Sequence, residues 1–312
     1  MRRKLMIMAA VTAALIGSGA RIVSAQSTDL EMMLMQTSDT RPEAHEPLGS
    51  VSIESSYTAP GRAKTKNSYG DSDTSKLNIS LDGRVPLNEK WFIPLDLRLN
   101  NLYLGAQSGA PVPDAIDTLS IGAGLGYRPT ERLTLMAKVT PTLYKLDGVD
   151  SHDIGLSYGL MAKYKYDYSP SLKILSGLMY SPGSRFNLLP VVGVDWDIND
   201  RFNLQLMFPM PRLTYTPNKL WKFHVGAELN EVMFRTGNSF GSDTSLSRYN
   251  DTLGSYSEIK AGAGLSYQIS RSISAGLDAG YALNRQITYT NINERVDLGS
   301  APYVGIGLRM SF

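Results

Sequence analysis

The chain has 312 residues, no cysteine, a formal net charge of +2 and a slightly polar mean hydropathy of −0.16. Lack of cysteine removes disulfide frameworks, zinc-thiolate sites and thiol nucleophiles, and so balanced a charge lacks the basic excess that captures nucleic acid. Beyond the first residues there is no long apolar stretch, which excludes a helical membrane protein but not a β-barrel, where only half of each strand need be apolar.

The N-terminus carries Arg2, Arg3 and Lys4, an apolar run from Leu5 to Ile16 and the small-residue sequence Val23-Ser24-Ala25. This pattern predicts a signal peptide over 1–25, too short for an ordinary spanning helix. Its removal takes four basic residues and no acidic one, so the charge falls from +2 to −2. Residues 26–46 are polar around a Met-rich patch and end at Pro42 and Pro47. We expect a flexible periplasmic extension there.

From residue 47 to 312 the chain alternates. Side chains on a strand point to opposite faces with period two. One face therefore collects Leu77, Ile79 and Leu81, then Ile93, Leu95, Leu97 and Leu99, then Leu119, Ile121, Ala123 and Leu125. Alternating segments fall near 48–58, 74–86, 91–103, 117–128, 132–144, 153–167, 172–181, 188–198, 201–208, 211–216, 220–235, 255–269, 272–289 and 300–312. That is about fourteen, or towards twelve if the short pair around Pro209-Met210-Pro211 forms one bent element. The expected fold is all-β: a transmembrane antiparallel up-and-down β-barrel.

Connections alternate between tight turns such as Asn88-Glu89-Lys90 and Asn199-Asp200 and long loops such as 59–73, 104–116 and 236–254. Outer-membrane barrels place short turns in the periplasm and long loops outside. Rings sit at both rims, as amphipathic aromatics do: Trp91, Tyr127, Trp196, Trp221, Tyr267 and Phe312 beside the short turns, and Tyr57, Tyr103, Tyr144, Tyr180, Phe234 and Tyr289 at the other end.

With leader, alternation and terminal Phe312 in place, the chain resembles a Gram-negative-type outer-membrane barrel over 47–312. The stretches Leu189-Pro190-Val191-Val192-Gly193-Val194-Asp195-Trp196 and Phe208-Pro209-Met210-Pro211-Arg212-Leu213-Thr214-Tyr215 resemble an uncharacterised barrel family known only as a domain of unknown function. The resemblance implies outer-membrane location and folding by the barrel-assembly machinery, which reads a terminal aromatic strand, here Phe312. It carries no catalytic or ligand residue across.

The inward face gathers Lys76, Arg84, Arg98, Arg128, Lys138, Lys163, Lys165, Lys173, Lys222, His224, Lys260 and Arg309 against Glu54, Asp82, Asp96, Asp167, Asp195, Asp197, Glu228 and Asp278. Charge at membrane depth is costly in lipid and must face water or a partner. These residues are expected to line a pore for small polar solutes in an outer-membrane lipid setting. An ion-pair lattice propping a filled structural or surface-binding barrel is the alternative. Gly122, Gly124, Gly126, Gly262 and Gly264, on the same face, are expected to leave space, and loop 236–254 is expected to fold either inward or outward. Catalysis would rest on His45, His152 or His224 with a nucleophile within reach; His224 has no serine beside it on its strand, and His152 sits in a polar loop tip. No enzyme activity, cofactor or metal is expected.

Overall fold

A computed structural model describes residues 48–64, 68–105, 110–146, 155–180, 188–208, 210–236, 240 and 247–312. The expected leader 1–25, the extension 26–46, His45 and His152 lie outside the described residues.

The strands are β1 (Gly49–Lys64), β2 (Ser68–Pro86), β3 (Trp91–Gly105), β4 (Ala115–Thr130), β5 (Leu133–Leu146), β6 (Gly155–Ser169), β7 (Leu172–Tyr180), β8 (Leu188–Asp197), β9 (Phe202–Phe208), β10 (Arg212–Tyr215), β11 (Trp221–Arg235), β12 (Leu253–Gln268), β13 (Ile273–Tyr289), β14 (Glu294–Asp297) and β15 (Ala301–Ser311). Each pairs antiparallel with its neighbour, and β1 pairs with β15, so the sheet closes on itself and leaves no edge. Phe312 N donates to Gly49 O at 2.9 Å and Gly49 N to Phe312 O at 3.1 Å at the foot of that seam.

β14 and β15 lie end to end between β13 and β1. They count as one wall position, so the barrel has fourteen. Arg212–Tyr215 pairs with Phe202–Gln205 as a separate strand, which rules out the twelve-strand alternative. β1 and β2 run further than the alternation predicts, through Thr58–Lys64 and Ser68–Asp73. Those ends are made of small and polar residues and carry no period-two signal.

Three short turns share one device. Asn88, Asn199 and Asn218 each accept, through Oδ1, the backbone N–H groups two and three residues on, at 2.9–3.0 Å. The second donor is in each case the aromatic that opens the next strand: Trp91, Phe202 or Trp221. An Asx turn thus fixes where each ring enters the interface. The rings then meet across strands, Trp91 on Tyr127 at 4.3 Å, Phe202 on Tyr215 and Trp221 on Tyr267 both at 4.7 Å.

The wall is uneven. β7–β10 have 9, 10, 7 and 4 residues, whereas β1–β6 and β11–β13 have 14 to 19. β11 approaches β5 across the interior, with Cα atoms within 8 Å. Barrel width grows with strand number, so the interior narrows towards the long-loop end.

A bulge on β13 changes which side faces in. Ser257 pairs with Gln286 but Ile259 with Leu283, so β13 carries one extra residue, and Asn284 there adopts φ 51°. Below the bulge Tyr281 and Leu283 face outward and are exposed; above it the odd-numbered Arg285, Ile287 and Tyr289 are buried.

Candidate functional site: the barrel interior

The interior has two levels. At the long-loop end it is apolar and packed. Leu102 and Leu104 of β3, Ile116 of β4, Tyr144 of β5, Val232 and Phe234 of β11, and Ile287 and Tyr289 of β13 form one buried cluster. Two connections insert into it. Val112 and Ala110 enter from the β3–β4 loop, and Tyr249 enters from the 3-10 turn Ser247–Tyr249. Tyr289 packs its ring against that of Tyr249, tilted, with centroids 4.9 Å apart, and donates its hydroxyl to Pro111 O at 2.7 Å. The Tyr249 hydroxyl donates to Glu294, which also pairs with Arg248 at 2.9 Å. Burial, and then the Glu294 carboxylate, push the Tyr249 phenol up from 10.0 to about 12. Of the two outcomes expected for loop 236–254, its described end 247–252 takes the inward one.

This plug corrects the outer aromatic rim. Tyr57, Tyr103 and Tyr180 face outward as expected, but Tyr144, Phe234 and Tyr289 are buried in the plug. For Tyr144 and Phe234 the parity agrees with inward Lys138 and His224 on their strands. For Tyr289 the bulge supplies the reversal.

Below the plug the interior is polar, and the sequence-predicted residues take these places. Lys138 and Asp96 are buried and pair at 2.7 Å. Lys76 on β2 reaches across to Asn230 Oδ1 on β11 at 3.2 Å, and Asn230 in turn donates to Glu228 at 2.9 Å. Lys260 donates to Ser56 at 3.0 Å and lies 5.1 Å above the Tyr303 ring. His224 Nε2 and Asp278 Oδ1 are 2.7 Å apart on the β11–β13 wall. Lys165 sits 3.6 Å from Asp167. Arg128 stacks over Phe92 at 5.1 Å, and Arg84 is half-buried. Lys222, opposite Ser266, is exposed near the short-turn mouth. Lys163 stands on β6 opposite Gly177 and Met136. Arg98 is 4% exposed.

The glycines do not leave the space expected of them. A Cβ on Gly122 would lie 2.1 Å from Asp96 Oδ1, on Gly126 2.1 Å from the Phe92 ring, and on Gly264 2.2 Å from Asp278 Oδ1. Gly124 and Gly262 would meet the carbonyl oxygens of Ala137 and Ala279 at 2.1 and 2.4 Å. Larger side chains or the neighbouring strand already occupy these places. Open floor is found instead at Gly276 and Gly305, where an added Cβ would meet nothing closer than 3.5 Å.

One part of the inner wall departs from the polar pattern. On β7–β9 the inward row Lys173, Asp195 and Gln205 gives way above to Leu175, Met179, Leu189, Val191 and Met207, which pack with Met136 and Met210. No group of three or more His, Cys, Asp or Glu residues able to hold a metal ion occurs among the described residues.

A family model described as a domain of unknown function, DUF6268, matches residues 54–311. The chain belongs to this family. No curated protein matches it. Among solved structures it is similar to the COG4313 outer membrane channel from Pseudomonas putida F1, with 10% identity, TM-score 0.49, and 88% of this chain and 100% of that one covered. It is also similar to a Pseudomonas aeruginosa FadL homologue, with 10% identity, TM-score 0.48 and 85% and 90% covered. The toluene transporter TodX of P. putida gives 8% identity, TM-score 0.46 and 86% and 91%. The DUF6268 chain is a closed antiparallel β-barrel of fourteen wall positions.

Proposed function

We propose that this barrel is a non-enzymatic passive channel for small polar solutes in the outer membrane. One observation carries the reading. The polar inner wall runs from the half-buried Arg84 and the exposed Lys222 near the short turns up to Asn100 and Thr118 beneath the apolar plug, with the apolar stretch on β7–β9 along one side. Part of that plug comes from connections, through Val112 and Tyr249, and connections can move where a closed sheet cannot. The packed plug lies towards the long loops, and the charged wall belongs to the side of the short turns. The lipid-facing rows, the Phe312 seam and delivery by the barrel-assembly machinery belong to the same proposal.

The second reading, a filled structural or surface-binding barrel, draws on the tight packing of the plug. Reconstitution of the purified full chain into planar bilayers separates the two. Stepwise conductance supports the channel; a folded barrel that stays silent, with and without the Tyr249→Ala change, overturns it.

A further inference from the structure

Beneath the plug, the wall formed by β15 and β1–β5 holds buried polar atoms that the protein does not satisfy. Arg98 and Arg309 each have an Nε without an acceptor, and Asp82 Oδ1, Asp96 Oδ2, Asn78 Oδ1 and Asn100 Oδ1 lack donors. Arg98, Asp82, Asn78 and Asn100 are all more than nine-tenths buried. Among the described residues no carboxylate lies within ion-pair range of either guanidinium.

The register brings these groups together. Arg309, Ser52, Ser80 and Arg98 follow one another across β15, β1, β2 and β3, and Asp82 stands directly opposite Asp96 in the adjoining row. Asn78 and Asn100 face each other one row further towards the plug. Arg98, Arg309 and Lys138 are within electrostatic reach of Asp82. Around Asp82 these three cations meet one further carboxylate, Asp96, which Lys138 already holds, and Glu54 stands opposite Asn78 in the next row.

Buried polar groups in folded proteins are almost always partnered, by protein, water or ligand. A planar guanidinium with free donors suits a carboxylate, which it can grip through two parallel bonds. Free amide and carboxylate oxygens beside it ask for donors. We infer that this stretch of the inner wall is a binding site for a small carboxylate that also carries hydroxyl or ammonium donors, with Arg98 and Arg309 on its anionic end and Asp82, Asn78 and Asn100 on its donors. The inference rests on the interior being a solute path and names the class of solute selected there.

Calorimetric titration of the full chain in nanodiscs at low chloride tests it, with gluconate as the hydroxyl-bearing probe and serine as the ammonium-bearing one. At least one probe should give saturable heat, acetate should bind more weakly than gluconate, and Arg98→Gln or Arg309→Gln should weaken binding at least tenfold. Arg201→Gln, on an exposed turn, should leave it unchanged. Heat-modifiable gel mobility establishes that each variant is folded, and Arg98→Lys, which keeps charge but loses the fork, should fall between wild type and Arg98→Gln. Absence of saturable heat with both probes, or equal affinity in folded Arg98→Gln, overturns the site. A barrel that conducts without binding loses only this inference; one that binds without conducting loses only the channel.

Discussion

Lys138 and Asp96 pair at 2.7 Å across a strand that belongs to neither: β5 and β3 are separated by β4, and the link passes over Gly122. Both side chains are almost wholly buried. Removing one partner of a buried pair strands the other charge, and Lys138→Met should cost about 3 kcal/mol. Gly122→Ala should cost less but act on the same contact, since the new methyl would meet the Asp96 carboxylate. Urea titration of the barrel in lipid vesicles measures both, and a loss below the error of the titration for Lys138→Met would show that water already screens the pair.

The two solvents on either side of the wall can be compared at adjacent residues of β15. Ile306 faces lipid and is 61% exposed, while Gly305 faces inward over open floor. Ile306→Arg should destabilise by about 2–4 kcal/mol near the bilayer midplane. Gly305→Ala should be nearly neutral, because its methyl meets only ordinary contacts. Similar losses at both positions would mean that the facing of β15 is misassigned.

Each Asx turn contributes two hydrogen bonds to backbone donors at the membrane rim. Asn88→Ala, Asn199→Ala and Asn218→Ala should each cost about 1 kcal/mol, and their effects should add because the turns share no partner. A triple variant as stable as the wild type in the same titration would contradict the role given to these residues.

Tyr249 should make the plug sensitive to alkali. Its phenol stays protonated up to about 12 when packed against Tyr289 and Glu294, but would titrate near the ordinary 10.0 once released. The raised value belongs to the closed arrangement, so that arrangement keeps its full advantage below pH 10 and loses it as pH rises through 12. Bilayer recordings should show the open fraction climbing over that interval, and Tyr249→Phe should abolish the climb. A pH response unchanged in Tyr249→Phe would assign it to another group.

Much of the wall was legible because lipid enforces the alternation. Trp91, Leu172, Leu188 and Phe208 bound strands where the pattern predicts, as the solvent changes abruptly on one face only. The charged inward residues followed from the same parity. The plug left a fainter signal: Leu102-Tyr103-Leu104 and Val232-Met233-Phe234 are apolar on both parities, which means that something other than water meets the inner face there. Which loops fill that space could not be read, because the insertion of Val112 and Tyr249 depends on contacts between connections far apart in the chain. The glycines misled because a missing side chain at one position is commonly filled by a larger neighbour from the next strand, as Phe92 does over Gly126.

The supernumerary residue at Asn284 has a consequence for how such a chain can change. Counting onward from Tyr281 in steps of two would send Ile287 and Tyr289 into hydrocarbon, and only the irregular step brings them home. Loss of that single codon would straighten the rib and keep both anchors of the stopper turned inward, whereas a rib that kept the residue but ran on without the bulge would evert them. The kink thus lets this rib carry one residue more than its neighbours without uncorking the cylinder.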